Sequence, residues 1–153
     1  MSAGFGVGFK QARGGFFDRR SVTNAVNRAE LRTLSKFGAF VRTRARTSIR
    51  KRRKPSLPGN PPSSHSGLLK RFIFFFYDRL RHSVIVGPVK LNGTIGDAPA
   101  ALEYGGRSQV WAGRRHRRLL RIVMIRPRPY MQPALELEQP KLPRLWANSV
   151  KAA

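Results

Sequence analysis

The side chains able to do chemistry are few, and their spacing argues against catalysis. His65, His82 and His116 lie in separate segments, and none is followed three or four residues on by a second ligand that would share a metal ion. Glu136 and Glu138 are the closest acid pair, but an i, i+2 spacing turns their carboxylates to different sides of a helix, where they cannot act together as acid and base. Ser64-His65-Ser66 is contiguous within a Pro-rich stretch, which offers nothing to orient a nucleophile against its base. Gly4, Gly6 and Gly8 resemble a phosphate cradle only in composition, because no strand precedes them and no Gly-Lys-Ser/Thr follows. Cysteine is absent, which removes disulfides, thiolate catalysis and Cys-ligated zinc. The expectation is a protein that is not an enzyme and holds no cofactor.

What the sequence has in abundance is positive charge. Thirty-one Lys and Arg oppose seven Asp and Glu over 153 residues, a formal net charge of +24, while 41% of the residues are hydrophobic. Disordered basic tails lack that apolar share, so a folded domain with a strongly basic surface is expected. So few acids leave most cations without an internal partner, and a polyanion or an acidic protein is the natural complement. The charge is not uniform: residues 1–54 carry net +13, 55–105 net +2, 106–129 net +8 and 130–153 net +1. Twenty-three of the 31 cations are Arg, which suits bidentate contact with phosphate or carboxylate and is produced equally by a GC-rich genome.

These charges must be positioned by a small set of elements. Residues 1–20 read as a Gly- and Phe-containing arm. From about Ser21 to Arg53, Val22, Val26, Ala29, Leu34, Phe37, Val41, Ala45 and Ile49 recur near the 3.6-residue period, predicting a long amphipathic helix. Asp18 or Ser21 is placed to cap it and Pro55 to stop it. Its end carries Arg42, Arg44, Arg46, Arg50, Arg52 and Arg53, more cations than the helix dipole calls for. Residues 55–66 (PSLPGNPPSSHS) form an extended Pro-rich loop, with Pro55, Pro58, Gly59, Pro61 and Pro62 suited to a spacer or to a surface gripped by a neighbour.

Gly67 to Pro88 predicts a β-hairpin turning at Asp78 to His82. Its first strand contains the continuous run Phe72 to Phe76, which does not alternate, so both faces require cover: one from the long helix, the other from a further surface such as a second subunit. Asp97 to Tyr104 predicts a short helix capped by Asp97 and ended by Gly105-Gly106. Residues 106–118 read as a basic loop holding Arg114, Arg115, Arg117 and Arg118, and Leu119 to Ile125 as a strand. A C-terminal helical region follows from Tyr130, interrupted near Pro140 and Pro143. The order predicts a single α+β domain over 1–153, with the long N-terminal helix packed on a small antiparallel sheet. No run approaches the roughly 18 apolar residues of a membrane span, so a soluble protein without membrane association is expected.

No zinc finger, zipper or RNA-recognition aromatic signature accompanies the basic blocks, so any nucleic-acid contact is expected with the backbone and without sequence readout.

Five short motifs follow one another along the chain: ARTSIRKR (Ala45 to Arg52), SLPGNPPSSHSGLLKRFI (Ser56 to Ile73), SVIVGP (Ser83 to Pro88), APAALEYGG (Ala98 to Gly106) and RPYMQPALE (Arg128 to Glu136). Their order resembles that of the tail-completion family of tailed bacteriophages, the small tail-terminator or head-to-tail joining proteins of the neck. The Pro-Gly-x-Pro-Pro loop, the turn at Glu103, Tyr104, Gly105 and Gly106, and the closing Arg128, Pro129 and Pro133 are the most specific pieces. The resemblance implies a structural protein of the virion, assembled in the host cytoplasm into a hexameric ring. That ring would end the tail, join it to the capsid connector or stopper, and contact tail-tube proteins. On this reading Arg42, Arg44, Arg46, Arg50, Arg52 and Arg53, or Arg114, Arg115, Arg117 and Arg118, face the DNA channel or an acidic ring partner. Glu103, a lone carboxylate in a basic chain, either pairs with Arg126 or Arg128 or stands exposed at a helix end. The alternative function is a small basic RNA-scaffold binder of the ribosomal type.

Overall fold

The computed structural model describes residues 18–89, 98–112 and 119–150. Helix α1 spans Arg19–Ser48 and is about 45 Å long at ~1.5 Å per residue. Asp18 caps it: its carboxylate accepts from the backbone N–H groups of Arg20 and Ser21 at 3.0 and 3.1 Å. Arg19 and Arg20, assigned to the arm from sequence, therefore already belong to the helix. Its buried stripe is Ala29, Thr33, Phe37, Gly38, Val41 and Ala45. Val22 and Val26 share the period but are exposed.

The helix ends well before Pro55. Ile49 turns to an extended conformation (φ −77°, ψ 111°) and is almost wholly buried. Ser64 N–H then donates to the Arg50 carbonyl at 3.0 Å, and Arg50 and Ser63 form a short parallel bridge. Leaving the helix lets Ile49 enter the core and gives the following backbone a partner in the Pro-rich loop. Arg50, Arg52 and Arg53 are therefore not helical, contrary to the periodicity reading.

A single turn, α2 (Leu68–Arg71), leads into β1 (Ile73–Asp78), which pairs antiparallel with β2 (Ser83–Pro88), Phe76 opposite Ile85 and Ile73 opposite Pro88. Asp78 shapes the turn by accepting from Leu80 and Arg81 N–H. The Phe run alternates in space after all. Ile73, Phe75, Val84 and Val86 lie on the α1 side, whereas Phe74, Phe76 and Ile85 are exposed on the other. Gly38 permits the close crossing of helix and hairpin, because a Cβ there would lie 2.6 Å from Val84 Cγ2 and 3.1 Å from Phe75 Cδ2.

Helix α3 (Ala98–Tyr104) leads through Gly105 into β3 (Gly106–Ala112), paired antiparallel with β4 (Leu119–Ile125), Ser108 opposite Val123. The first half of the expected basic loop is thus a strand. Among the described residues, four strands form two separate two-stranded sheets, and with the helices they make the α+β architecture expected. Helix α4 (Met131–Glu138), a 3₁₀ turn (Gln139–Lys141) and α5 (Leu142–Trp146) finish the fold, broken where Pro140 and Pro143 intervene. One core joins α1, α2, β1 and α4 through Phe37, Val41, Ala45, Ile49, Leu69, Ile73, Tyr130 and Ala134. Among the described residues, no helix is long and apolar enough to cross a membrane.

Candidate functional site

The predicted basic residues divide by what they touch. Arg42 Nε donates to the Ile73 carbonyl at 2.9 Å, and its guanidinium lies 6.0 Å from the Phe74 ring centroid, tying α1 to β1. Arg44 Nε meets Glu138 Oε1 at 2.8 Å, while Lys141 donates to the other carboxylate oxygen. Glu138 is buried, yet the Lys141 ammonium holds its carboxyl below the ordinary glutamate value; burial opposes this, and the Arg44 guanidinium reinforces it. Arg42 and Arg44 are thus occupied within the fold. Arg46 is half-buried in the last turn of α1. Arg50, Arg52 and Arg53 are exposed and run together with Lys51 and Lys54 as five consecutive cations. Among the described residues none of the five forms an ion pair. Arg114, Arg115, Arg117 and Arg118 lie outside the described residues, as do most of the N-terminal arm and Asp97.

The Pro-rich loop is gripped first by its own chain. Gly59 N–H donates to the Pro127 carbonyl at 2.9 Å, with Gly59 at φ +81°, and Arg128 Nε donates to the Ser56 carbonyl at 2.9 Å. Pro62 is fully buried and Pro61 half-buried, so only part of the loop, with Pro55 and Pro58, faces outward. Between this loop and the residues leaving α1 lies a cleft of about 510 Å³. Its wall includes Arg50, Arg52, Ser56, Asn60 and Ser63.

Glu103 resolves differently from either sequence alternative. It is buried, and it pairs with neither Arg126 nor Arg128. Its carboxylate accepts three backbone N–H bonds: from Tyr130 and Met131 to Oε2 at 2.9 and 3.0 Å, and from Gln132 to Oε1 at 2.8 Å. These are the unpaired donors at the start of α4, so Glu103 caps that helix from another element and meets the positive end of its dipole. Arg128 N–H donates to the Leu102 carbonyl at 2.6 Å beside it. Gly105 (φ +78°) makes the approach possible, since a Cβ would meet Pro127 Cδ at 3.0 Å. Gly106 has φ +122°, Tyr104 is exposed, and Pro129 and Pro133 are half-buried around this junction. Segments near 56–59, 102–106 and 126–132, far apart in the chain, thus meet through backbone bonds.

The remaining titratable groups are structural in position. His82 Nδ1 lies 2.9 Å from Glu30 Oε2, joining the hairpin turn to α1. Partial burial, and then a hydrogen bond to Glu30, raise the Tyr77 phenol above its ordinary value. Tyr77 and His82 border a cleft of about 320 Å³, whose wall also includes Asn24, Arg28 and Arg79. Ser64 accepts from Gly67 N–H and His65 is exposed, so Ser64-His65-Ser66 forms no catalytic arrangement. No group of three or more metal-ligating side chains occurs among the described residues. The Arg44–Glu138 and His82–Glu30 contacts had no local sequence signal, since 94 and 52 residues separate the partners, whereas Lys141 lies only three residues beyond Glu138.

No protein-family model, curated protein or solved structure matches this chain.

Proposed function

We propose that the protein is a structural component of a phage neck: a ring at the head-to-tail junction that ends the tail and joins it to the capsid connector, with its basic surface toward DNA or an acidic partner. The observation that carries this reading is the outer face of the β1–β2 hairpin. Phe74, Phe76 and Ile85 are 47%, 66% and 55% exposed on the side away from α1. A contiguous apolar surface of this kind marks a protein interface, and a closed ring of identical subunits would cover it on every copy. A further point supports it: three of the five motifs of the resemblance meet in one junction built by Glu103, Arg128 and Gly59.

The test is purification at moderate salt with nuclease treatment, followed by mass photometry and negative-stain imaging. Closed rings free of nucleic acid are expected. A monomer at every concentration, carrying nuclease-sensitive RNA before treatment, would overturn the reading in favour of the RNA-scaffold binder.

A further inference from the structure

We infer that the cleft between the Arg50–Leu57 segment and the Pro-rich loop is a phosphate-binding site that takes a phosphodiester of a nucleic-acid backbone. The inference rests on the proposed function's placement of the basic surface toward DNA, and it assigns that contact to particular side chains.

Three observations carry it. Arg50 and Arg52 line the cleft, whereas Lys51 and Arg53 between and after them do not. Residues two apart in an extended segment present side chains to the same side, so leaving the helix at Ile49 places Arg50 and Arg52 on one wall of the cleft. Secondly, five successive cations from Arg50 to Lys54 stand without an internal ion pair among the described residues, an arrangement whose self-repulsion an anion would relieve. Thirdly, Ser56, on the cleft wall, has a hydroxyl that is shielded from solvent and bonds no group of the described chain. An unsatisfied buried polar atom calls for an explanation, and a change of rotamer that turns the hydroxyl out to a ligand oxygen provides one.

Five successive cations match the regularly spaced charges of a phosphate backbone better than they match a single carboxylate side chain. Arg50, Arg52, Ser56 and Asn60 share this wall, and the planar guanidinium forks suit the two non-bridging oxygens of a phosphodiester. Pro55, Leu57 and Pro61 provide an apolar flank for a sugar. Nothing in this set distinguishes one base from another, so binding is independent of sequence. By contrast, Arg42 and Arg44 are spent on Ile73, Phe74 and Glu138, and take no part.

The experiment is fluorescence anisotropy of a short DNA duplex with the full-length protein over a salt series. Arg50→Ala/Arg52→Ala is expected to weaken binding at least about tenfold and to lower the slope of log K against log salt by about two, as for two lost phosphate contacts. Lys51→Ala/Arg53→Ala removes the same charge from the same segment and is expected to cost about threefold or less. Ser56→Ala is expected to weaken binding about threefold with no fall in melting temperature, since its hydroxyl supports nothing in the free fold. Equal losses from the two double variants, or full affinity in Arg50→Ala/Arg52→Ala, would overturn the site. A glutamate polymer that binds as tightly as DNA, with the same dependence on Arg50 and Arg52, would overturn the phosphate assignment in favour of an acidic protein. Oligomeric state is read on the same samples. Rings without cleft-dependent binding remove the phosphate site and leave the neck reading standing; cleft-dependent binding by a permanent monomer does the reverse.

Discussion

Single carboxylates have an outsized role in a chain with seven acids against thirty-one cations. Glu103 uses its charge on three backbone donors rather than on an arginine. Glu103→Gln replaces one acceptor oxygen by a donor facing N–H groups, and is expected to cost about 1–3 kcal/mol. That lowers the melting temperature by roughly 5 °C for a chain of this size. Tyr104→Ala, next to it but exposed, should change stability by less than about 0.5 kcal/mol. Melting curves followed by circular dichroism decide it, and a Glu103→Gln midpoint equal to the parent's would show that the cap has no energetic consequence. Glu138 makes a different prediction because its pKa is lowered in the fold by Lys141 and Arg44. A lowered folded-state pKa contributes stability above the ordinary glutamate value, and this is lost as pH falls through the folded value. Urea midpoints should therefore fall on acidification more steeply for the parent than for Glu138→Gln, which starts less stable at neutral pH. Parallel acid limbs would mean the Arg44–Glu138–Lys141 contact does not couple to folding. Glu103 stands out in the sequence as a lone acid, but its partners are main-chain groups 27 to 29 residues away. Composition carries no signal for such donors, so proximity to Arg126 and Arg128 suggested an ion pair instead.

Elements were legible where local chemistry defines them. The start of α1 was legible to within two residues, with Asp18 and Ser21 both offered as its cap, and the β1–β2 hairpin follows from its aromatic and β-branched strands around a polar turn. The end of α1 was not, because Pro55 is the only strong local stop. The actual stop is tertiary: Ile49 is buried and Arg50 bonds the Pro-rich loop. Strand β3 was hidden for a similar reason. GRSQVWA is Gly-containing and polar, and it becomes a strand by pairing with the apolar β4. Packing between elements depends most sharply on Gly38. Gly38→Ala places a methyl 2.6 Å from Val84 Cγ2, and overpacking of this kind is expected to cost about 1–3 kcal/mol despite alanine's better helix propensity. Val84→Ala on the same background should recover part of the loss, because it removes the clashing methyl. A double-mutant cycle in urea checks this; additive losses would place the strain elsewhere than at the helix–hairpin crossing.

At the scale of the whole molecule, the charge and the apolar hairpin face point in one direction. A protein with net +24 repels its own copies, so association needs an interface that concentrates apolar contact and keeps the basic segment apart from it. The β1–β2 hairpin has that character: its outer face is Phe74, Phe76 and Ile85, while the exposed Arg50–Lys54 run lies on another element. The continuous Phe run made this face legible as something needing cover. The phosphate cleft was not legible, because it exists only once α1 ends at Ser48 and the Pro-rich loop folds back. If the hairpin face closes the ring, it can be broken without unfolding the subunit. Phe76 and Ile85 are cross-strand partners, so Phe76→Lys/Ile85→Glu puts opposite charges opposite each other, keeps the strand pair favourable and desolvates nothing in the free subunit. The melting temperature of the dilute variant should stay within a few degrees of the parent's, and mass photometry should show single subunits where the parent forms rings. In the assembled ring the same two charges would be buried away from water, a cost of several kcal/mol per subunit repeated around the circle. Rings that persist in this variant would remove the hairpin face as the interface, and with it the observation on which the neck reading stands.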